Sequence, residues 1–381
     1  MYLDQAATSF PKPPEVVEAM TKALTEYAAN PGRSGHRMSV KANEVISQAR
    51  EQLADFFGFS YPNRVCFTSN ATSALNQALK GFRFQSGDHV LTTSYEHNSV
   101  RRPLENLKEK TGIKITYFDP GVGENFDMDA FERAITPHTK MIVVSHGSNL
   151  TGKITPIDEI GKLAKESGIA FLVDAAQTAG VLPINLEEMN IDLLAFPGHK
   201  GLLGPQGTGV LMVGKGVELD PIFQGGTGSR SESTQQPAVY PEFLESGTLN
   251  TPGIAGLLAG LETVKKLGLD SIYSHELQLT QKLIEGLRAI DYVTIYGPQT
   301  NRLGVVPFTI EGIDGQEIAI ILDQHYNIAV RAGLHCTPIG HESIGTSESG
   351  AVRISVGPYN TEEEIEQALK AIEEIVEGYF G

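Results

Sequence analysis

The stretch Ile169-Ala170-Phe171-Leu172-Val173-Asp174-Ala175-Ala176-Gln177, followed by Ile191-Asp192-Leu193-Leu194-Ala195-Phe196-Pro197-Gly198-His199-Lys200-Gly201, decides the fold. Each half is a mostly apolar run that ends abruptly in polar or small residues. A run without regular polar alternation fits a strand covered on both faces, as in a mainly parallel sheet. Working outward, similar runs stand near 64–68, 88–93, 140–145 and 208–213. Helical periodicity appears near 15–28, 40–57, 71–80, 99–110, 128–135 and 157–167. Strands alternating with helices predict an open α/β sheet with helices on both sides.

In such sheets ligands sit beyond the carboxyl ends of the strands. The residues at those ends are Ser69-Asn70-Ala71-Thr72, Ser94-Tyr95-Glu96-His97, Ser148-Asn149, Asp174-Ala175-Ala176-Gln177 and Pro197-Gly198-His199-Lys200. Nearly all are polar or small, which points to one shared site. From Gly225 to Pro241 the chain is rich in Gly, Ser, Thr, Gln and Pro and reads as a long loop. Beyond it come helical patterns at 253–267 and 272–290, strands near 303–310, 327–331 and 351–356, and a last helix from Glu362 to about Gly378. The predicted organisation is a large α/β domain over 15–254 and a smaller α+β domain built from 1–14 and 255–381.

Composition narrows the function. With 46 acidic and 30 basic residues the formal net charge is −16. An acidic surface repels phosphate backbones, so a nucleic-acid partner is not expected. No apolar run is long enough to span a membrane, and Met1-Tyr2-Leu3-Asp4-Gln5 lacks the basic-then-apolar build of a signal peptide. Two cysteines, Cys66 and Cys336, do not make a disulfide framework. The expectation is a cytoplasmic enzyme.

Lys200 follows a buried strand. Its spacing alone fits a surface lysine, but the flanking Gly198 and Gly201 let backbone approach a bulky ligand, and a desolvated lysine suits Schiff-base chemistry. Asp174 stands 26 residues earlier, one strand away. A turn or N-cap aspartate is the plain alternative; beside Lys200 it fits the carboxylate that keeps the pyridine nitrogen of pyridoxal 5′-phosphate (PLP) protonated. His97, otherwise a structural hydrogen-bonder, is placed to stack on a cofactor and to shuttle protons near neutral pH. Ser69-Asn70-Ala71-Thr72-Ser73 opens a helix after a strand, which caps the helix and equally cradles a phosphate.

Gly147-Ser148-Asn149-Leu150-Thr151-Gly152-Lys153-Ile154 approaches the nucleotide-binding loop G-x-x-x-x-G-K-[ST], but Ile154 has no hydroxyl for Mg²⁺. Cys66, inside an apolar run, reads as core. Cys336 lies in Val330-Arg331-Ala332-Gly333-Leu334-His335-Cys336-Thr337-Pro338, among turn formers, with Arg331 and His335 near enough in sequence to favour a thiolate. No further cysteine or carboxylate stands at metal spacing from His335, so no metal site is expected. Arg331 and Arg353 each border a β-rich stretch and suit a substrate carboxylate.

Taken in order, Leu3-Asp4-Gln5-Ala6-Ala7-Thr8-Ser9, Glu96-His97, Ser148-Asn149, Asp174-x-Ala176-Gln177, Gly198-His199-Lys200, Ser246-Gly247-Thr248 and Arg353-Ile354-Ser355 resemble the class V aminotransferase family of fold-type I PLP enzymes. Arg331-x-Gly333-x-His335-Cys336 resembles the cysteine desulfurases within it. The resemblance implies a seven-stranded, mainly parallel sheet and a homodimer. It implies that Lys200 carries PLP as a Schiff base, that Asp174 pairs with the ring nitrogen, and that His97 stacks on the ring. Gln177 and Asn149 would lie near the phenolic oxygen. Ala71, Thr72 and His199 would hold the phosphate, with Thr248 arriving from a second subunit. Arg353, with Asn149, would take the substrate carboxylate, and Arg331 would lie nearby. The implied reaction converts L-cysteine to L-alanine and leaves sulfur as a persulfide on Cys336, the thiolate being supported by His335, His97 or Arg331. Only 17 positions separate Cys336 from Arg353, which resembles the second desulfurase subgroup, whose members often rely on a sulfur-acceptor protein. A selenocysteine lyase would use the same site, and an aminotransferase or β-lyase would do without Cys336. Two positions depart from the family pattern. Pro197 replaces a common hydroxyl residue, and Asn70-Ala71-Thr72 stands where Gly-Thr-Thr is frequent; both changes remove phosphate donors.

Overall fold

The structure, a computed structural model, describes residues 1–32, 35–229 and 232–381. Seven strands form the large sheet: β1 (Val65–Thr68), β2 (His89–Thr93), β3 (Lys114–Phe118), β4 (Thr139–Ser145), β5 (Ala170–Asp174), β6 (Leu193–Pro197) and β7 (Gly209–Val213). Their order is β1-β7-β6-β5-β4-β2-β3. Only β7 runs against its neighbours, pairing antiparallel with β1 and β6, so the sheet is mainly parallel as expected.

The apolar runs are explained by burial on both faces. Phe171 and Val173 of β5, with Phe196 and Val210, point into one core, and Leu172, Leu193 and Leu211 point into the other. Successive strand residues alternate between faces, so each face needs its own apolar set. The helices are α1 (Pro14–Glu26), α2 (Arg37–Phe56), α3 (Ala71–Gly81), α4 (Asn98–Thr111), α5 (Met128–Arg133), α6 (Ile157–Glu166) and α7 (Thr251–Leu267). Strand β3 escapes sequence analysis. It is a sheet-edge strand, Lys-Ile-Thr-Tyr-Phe, exposed or half-buried throughout, so it lacks the apolar run that marks the others.

A second, antiparallel sheet has the order β10-β11-β9-β8, from β8 (Val293–Ile295), β9 (Val305–Ile310), β10 (Arg331–Gly333) and β11 (Ala351–Ser355). It is packed by α8 (Leu269–Arg288), α9 (Gly315–Tyr326) and α11 (Glu362–Phe380), with α10 (Pro338–Ser343) in the β10–β11 connection. The strand expected at 327–331 sits later, at Arg331–Gly333. The residues before it make only an isolated bridge, Ala329 to Tyr2, because the N-terminal segment lies there. Leu3 is fully buried in the core of this small sheet, and Asp4 bridges Ser355. The position near 255 falls inside α7, which packs on α1 and α2 beside the large sheet. The long loop from 225 to 241 is made of turns and bends where it is described; residues 230 and 231 lie outside the described residues.

Candidate active site

Register places the site. Asp174, at the end of β5, lies between Ser145 of β4 and Ala195 of β6, and Lys200 follows β6 directly. Across the small sheet Arg331 of β10 pairs with Arg353 of β11, so the two guanidinium groups leave the same face. A hollow of about 230 Å³ results between the sheets. Ala71, Thr72, His97, Asn149, Asp174, Gln177, His199, Lys200, Arg331 and Arg353 all line it.

Lys200 is half-buried. Burial lowers its amine to about 8, although Asp174 opposes the shift. The amine is thus readily deprotonated, as a Schiff-base lysine requires. The neighbouring glycines have another reason than the one expected. A Cβ on Gly198 would meet Thr208 Oγ1 at 2.3 Å, and one on Gly201 would meet the Ala179 carbonyl at 2.5 Å. They allow close packing of the protein on itself, not approach to a ligand.

Asp174 is buried and accepts one hydrogen bond, from Ala176 N at 2.9 Å. Burial raises its pKa, while that bond and Lys200 pull it down. One carboxyl oxygen has no protein donor among the described residues, which fits a ring N–H supplied from the hollow. The start of α3 also fits an anion. Asn70 Oδ1 caps Ser73 N at 2.9 Å, and no protein acceptor among the described residues takes the N–H groups of Ala71 and Thr72. His199 Nδ1 is 3.0 Å from Thr8 Oγ1, leaving Nε2 for the hollow. The donor set therefore fits a phosphorylated pyridine even with Pro197 and Ala71 in place. Ser99, which sequence analysis passes over, also lines the hollow and bonds Thr72 Oγ1 at 2.7 Å. Its only sequence signal is its place two residues after His97.

His97 is held as a neutral ring near neutral pH. Burial, then Lys200 and Arg331, lower it to about 4. Its Nδ1 accepts from Ser99 N at 3.0 Å, so the neutral ring carries its proton on Nε2. Gln177 Nε2 donates to the Ala6 carbonyl at 3.1 Å. Thr248 does not reach this hollow in its own chain; it lines a separate one with Ser69, Ser73 and Asn250.

Arg353 is buried and already partnered. Its Nη2 meets Asp4 Oδ1 at 2.7 Å, and its Nη1 donates to the Asn149 carbonyl at 2.9 Å, while Nε has no partner among the described residues. Nothing local in the sequence gives Asp4 a role, because its partner lies 349 positions away. The Lys153 of the near-match nucleotide loop is buried, its ammonium donating to the carbonyls of Pro120, Gly121 and Asn125. It is a structural clip.

Cys66 is buried in the core, and Cys336 is partly exposed. Arg331 Nη2 lies 3.4 Å from Cys336 Sγ. His335 does not support the thiol as a cation. Its Nε2 donates to the Ala351 carbonyl at 2.9 Å, its Nδ1 is buried without a partner among the described residues, and burial lowers it to about 2. Of the three groups expected to favour a thiolate, Arg331 alone offers a charge in contact. Among the described residues no cluster of metal-ligating side chains occurs, and no helix is long and apolar enough to cross a membrane.

Comparison with known proteins places these features in context. The family model for aminotransferase class-V matches residues 1–368. A probable cysteine desulfurase of Methanothermobacter thermautotrophicus is 36% identical over 98% of this chain and 94% of its own length. A cysteine desulfurase of Haloferax volcanii is 31% identical, covering 98% of this chain and 88% of that protein. The apo structure of cysteine desulfurase from Thermococcus onnurineus superposes with a TM-score of 0.93 at 36% identity, over 99% of this chain and 95% of that one.

Proposed function

Since the chain belongs to the class-V aminotransferase family, whose members depend on PLP, we propose that it is a cysteine desulfurase that converts L-cysteine to L-alanine and takes the sulfur onto Cys336. The observation that carries this reading is the 3.4 Å contact between Cys336, itself outside the lining of the hollow, and Arg331, which lines that hollow with Lys200 and Asp174. An aminotransferase or β-lyase has no use for a thiol held there.

Lys200 would hold PLP, Asp174 its ring nitrogen, His97 and Gln177 the ring, and Ala71, Thr72 and His199 its phosphate. When bound, PLP supplies an electron sink that makes the α-proton of cysteine acidic and its carbon–sulfur bond labile. The chain's own groups do the rest. Arg353 and Asn149 orient the substrate carboxylate, with Asp4 holding the guanidinium in place. The Lys200 amine, which burial lowers to about 8, accepts the α-proton in its unprotonated form. Asp174, buried with one carboxyl oxygen free of protein donors among the described residues, would accept a hydrogen bond from the ring nitrogen. Cys336, as a thiolate beside Arg331, attacks the substrate sulfur. A sulfur–sulfur bond forms as the carbon–sulfur bond breaks, the electron pair of the broken bond stays with the substrate carbon and takes up a proton to complete the methyl group, the persulfide remains on Cys336, and alanine leaves.

The reading extends to a cytoplasmic homodimer in which Thr248 of one subunit completes the other's phosphate site, and to a sulfur-acceptor protein that clears Cys336. The test is alanine and sulfide release from L-cysteine by the PLP-reconstituted protein. Cys336→Ala should abolish sulfur transfer yet keep the visible absorbance of the bound cofactor, and Lys200→Ala should lose that absorbance. Undiminished sulfur release by Cys336→Ala would sink the persulfide role.

A further inference from the structure

Thr337 begins α10, and a threonine there ordinarily caps its helix by accepting a backbone N–H. This one does not: its side chain makes no capping bond. The hydroxyl instead donates to Asn149 Oδ1 at 2.7 Å, 188 positions away and fully buried. The other end of the same amide, Asn149 Nδ2, donates to the His335 carbonyl at 2.7 Å. A carbonyl only accepts, so His335 decides which way the amide faces, and Thr337 must then be the donor to Oδ1.

Between these two contacts stands Cys336. Both His335 (φ 48°) and Cys336 (φ 61°) are left-handed, a conformation that residues with side chains adopt only when their surroundings impose it. The Asn149 amide grips the residue before the thiol and the residue after it. Asn98 N takes the Cys336 carbonyl itself at 2.8 Å. Asn149 also lines the hollow, and its backbone carbonyl holds Arg353.

We propose that Thr337 is a positioning residue for sulfur transfer. Its hydroxyl locks the Asn149 amide in one orientation, which holds the Cys336 turn in its left-handed form. The proposal rests on the desulfurase reading for its consequence but not for its geometry. Thr337→Val removes the hydroxyl at nearly constant shape, and Thr337→Ser restores it.

Two measurements test it. In cofactor-free protein, hydrogen exchange of the segment spanning 334–341 should accelerate in Thr337→Val and stay close to wild type in Thr337→Ser. In the reconstituted enzyme, single-turnover persulfide formation on Cys336 should fall by about tenfold to a hundredfold in Thr337→Val, as misplacement of a reacting group by ~1 Å does, and recover in Thr337→Ser. Solvent exchange of the α-proton of L-alanine, which needs Lys200 but no thiol, should change far less. Unchanged segment exchange in Thr337→Val would overturn the latch. An equal loss of α-proton exchange and persulfide formation would overturn the specific role in sulfur transfer. Failure of the desulfurase reading shows separately, as sulfur release indifferent to Cys336→Ala, and leaves the hydrogen-exchange result standing.

Discussion

Arg331 and Lys200 illustrate how a site uses burial in opposite ways. Lys200 loses solvent and its amine falls to about 8, so it takes and gives protons in the working range. Arg331 presents a planar, delocalised guanidinium that touches Cys336 Sγ. A charge-assisted bond of this kind contributes about 1.5–3 kcal/mol, or roughly tenfold to a hundredfold in rate if it acts on the attacking sulfur. Arg331→Gln should slow persulfide formation by that factor while leaving the cofactor's absorbance intact. Mass measurement of Cys336 after one turnover reads it directly, and a wild-type rate would remove Arg331 from the sulfur step. The histidines play neither part, because burial keeps His97 and His335 neutral at neutral pH.

At the scale of elements, the segment bearing Ser246-Gly247-Thr248 follows directly on a buried ion pair. Glu245 meets Arg50 of α2 through two bonds, Nη1–Oε1 at 2.7 Å and Nη2–Oε2 at 2.6 Å, and also accepts from Phe67 N of β1. Both side chains are buried. A buried pair adds little over an apolar pair, but breaking it strands a charge and costs about 3–5 kcal/mol. Glu245→Gln should therefore lower the urea midpoint of unfolding by an amount in that range. An unchanged midpoint would show that the pair is dispensable.

For the whole molecule, stability should depend on pH through a buried carboxyl on α8, which lines a small cavity together with Gln177 and Lys200. Glu276 of α8 lies beside Tyr273, and its carboxyl has no hydrogen bond among the described residues; burial raises it from 4.5 to about 8. Between those values the folded chain keeps a proton that the unfolded chain releases. Proton binding is then greater in the folded state, so this contribution to stability falls as pH rises through the window. Glu276→Gln should flatten the decline in melting temperature between about pH 5 and about pH 8, most visibly at the alkaline end. A variant that declines as steeply as wild type would show that Glu276 ionises without penalty.

The large sheet was readable because strands buried on both faces must be apolar throughout, which local sequence records. The same reasoning left β3 invisible, since an edge strand that keeps contact with solvent carries no such run. Lys200, Asp174 and Cys336 were legible as candidates because reactive side chains at strand ends and in turns are out of place in a core. What the chain alone did not settle is which groups touch. The partnership of Asp4 with Arg353, the clasp of Asn149 and Thr337 on the Cys336 turn, and the neutrality of His97 and His335 depend on contacts between distant segments and on solvent exclusion. Neither proximity nor desolvation is a property of a residue's neighbours in sequence, so both had to await the tertiary fold.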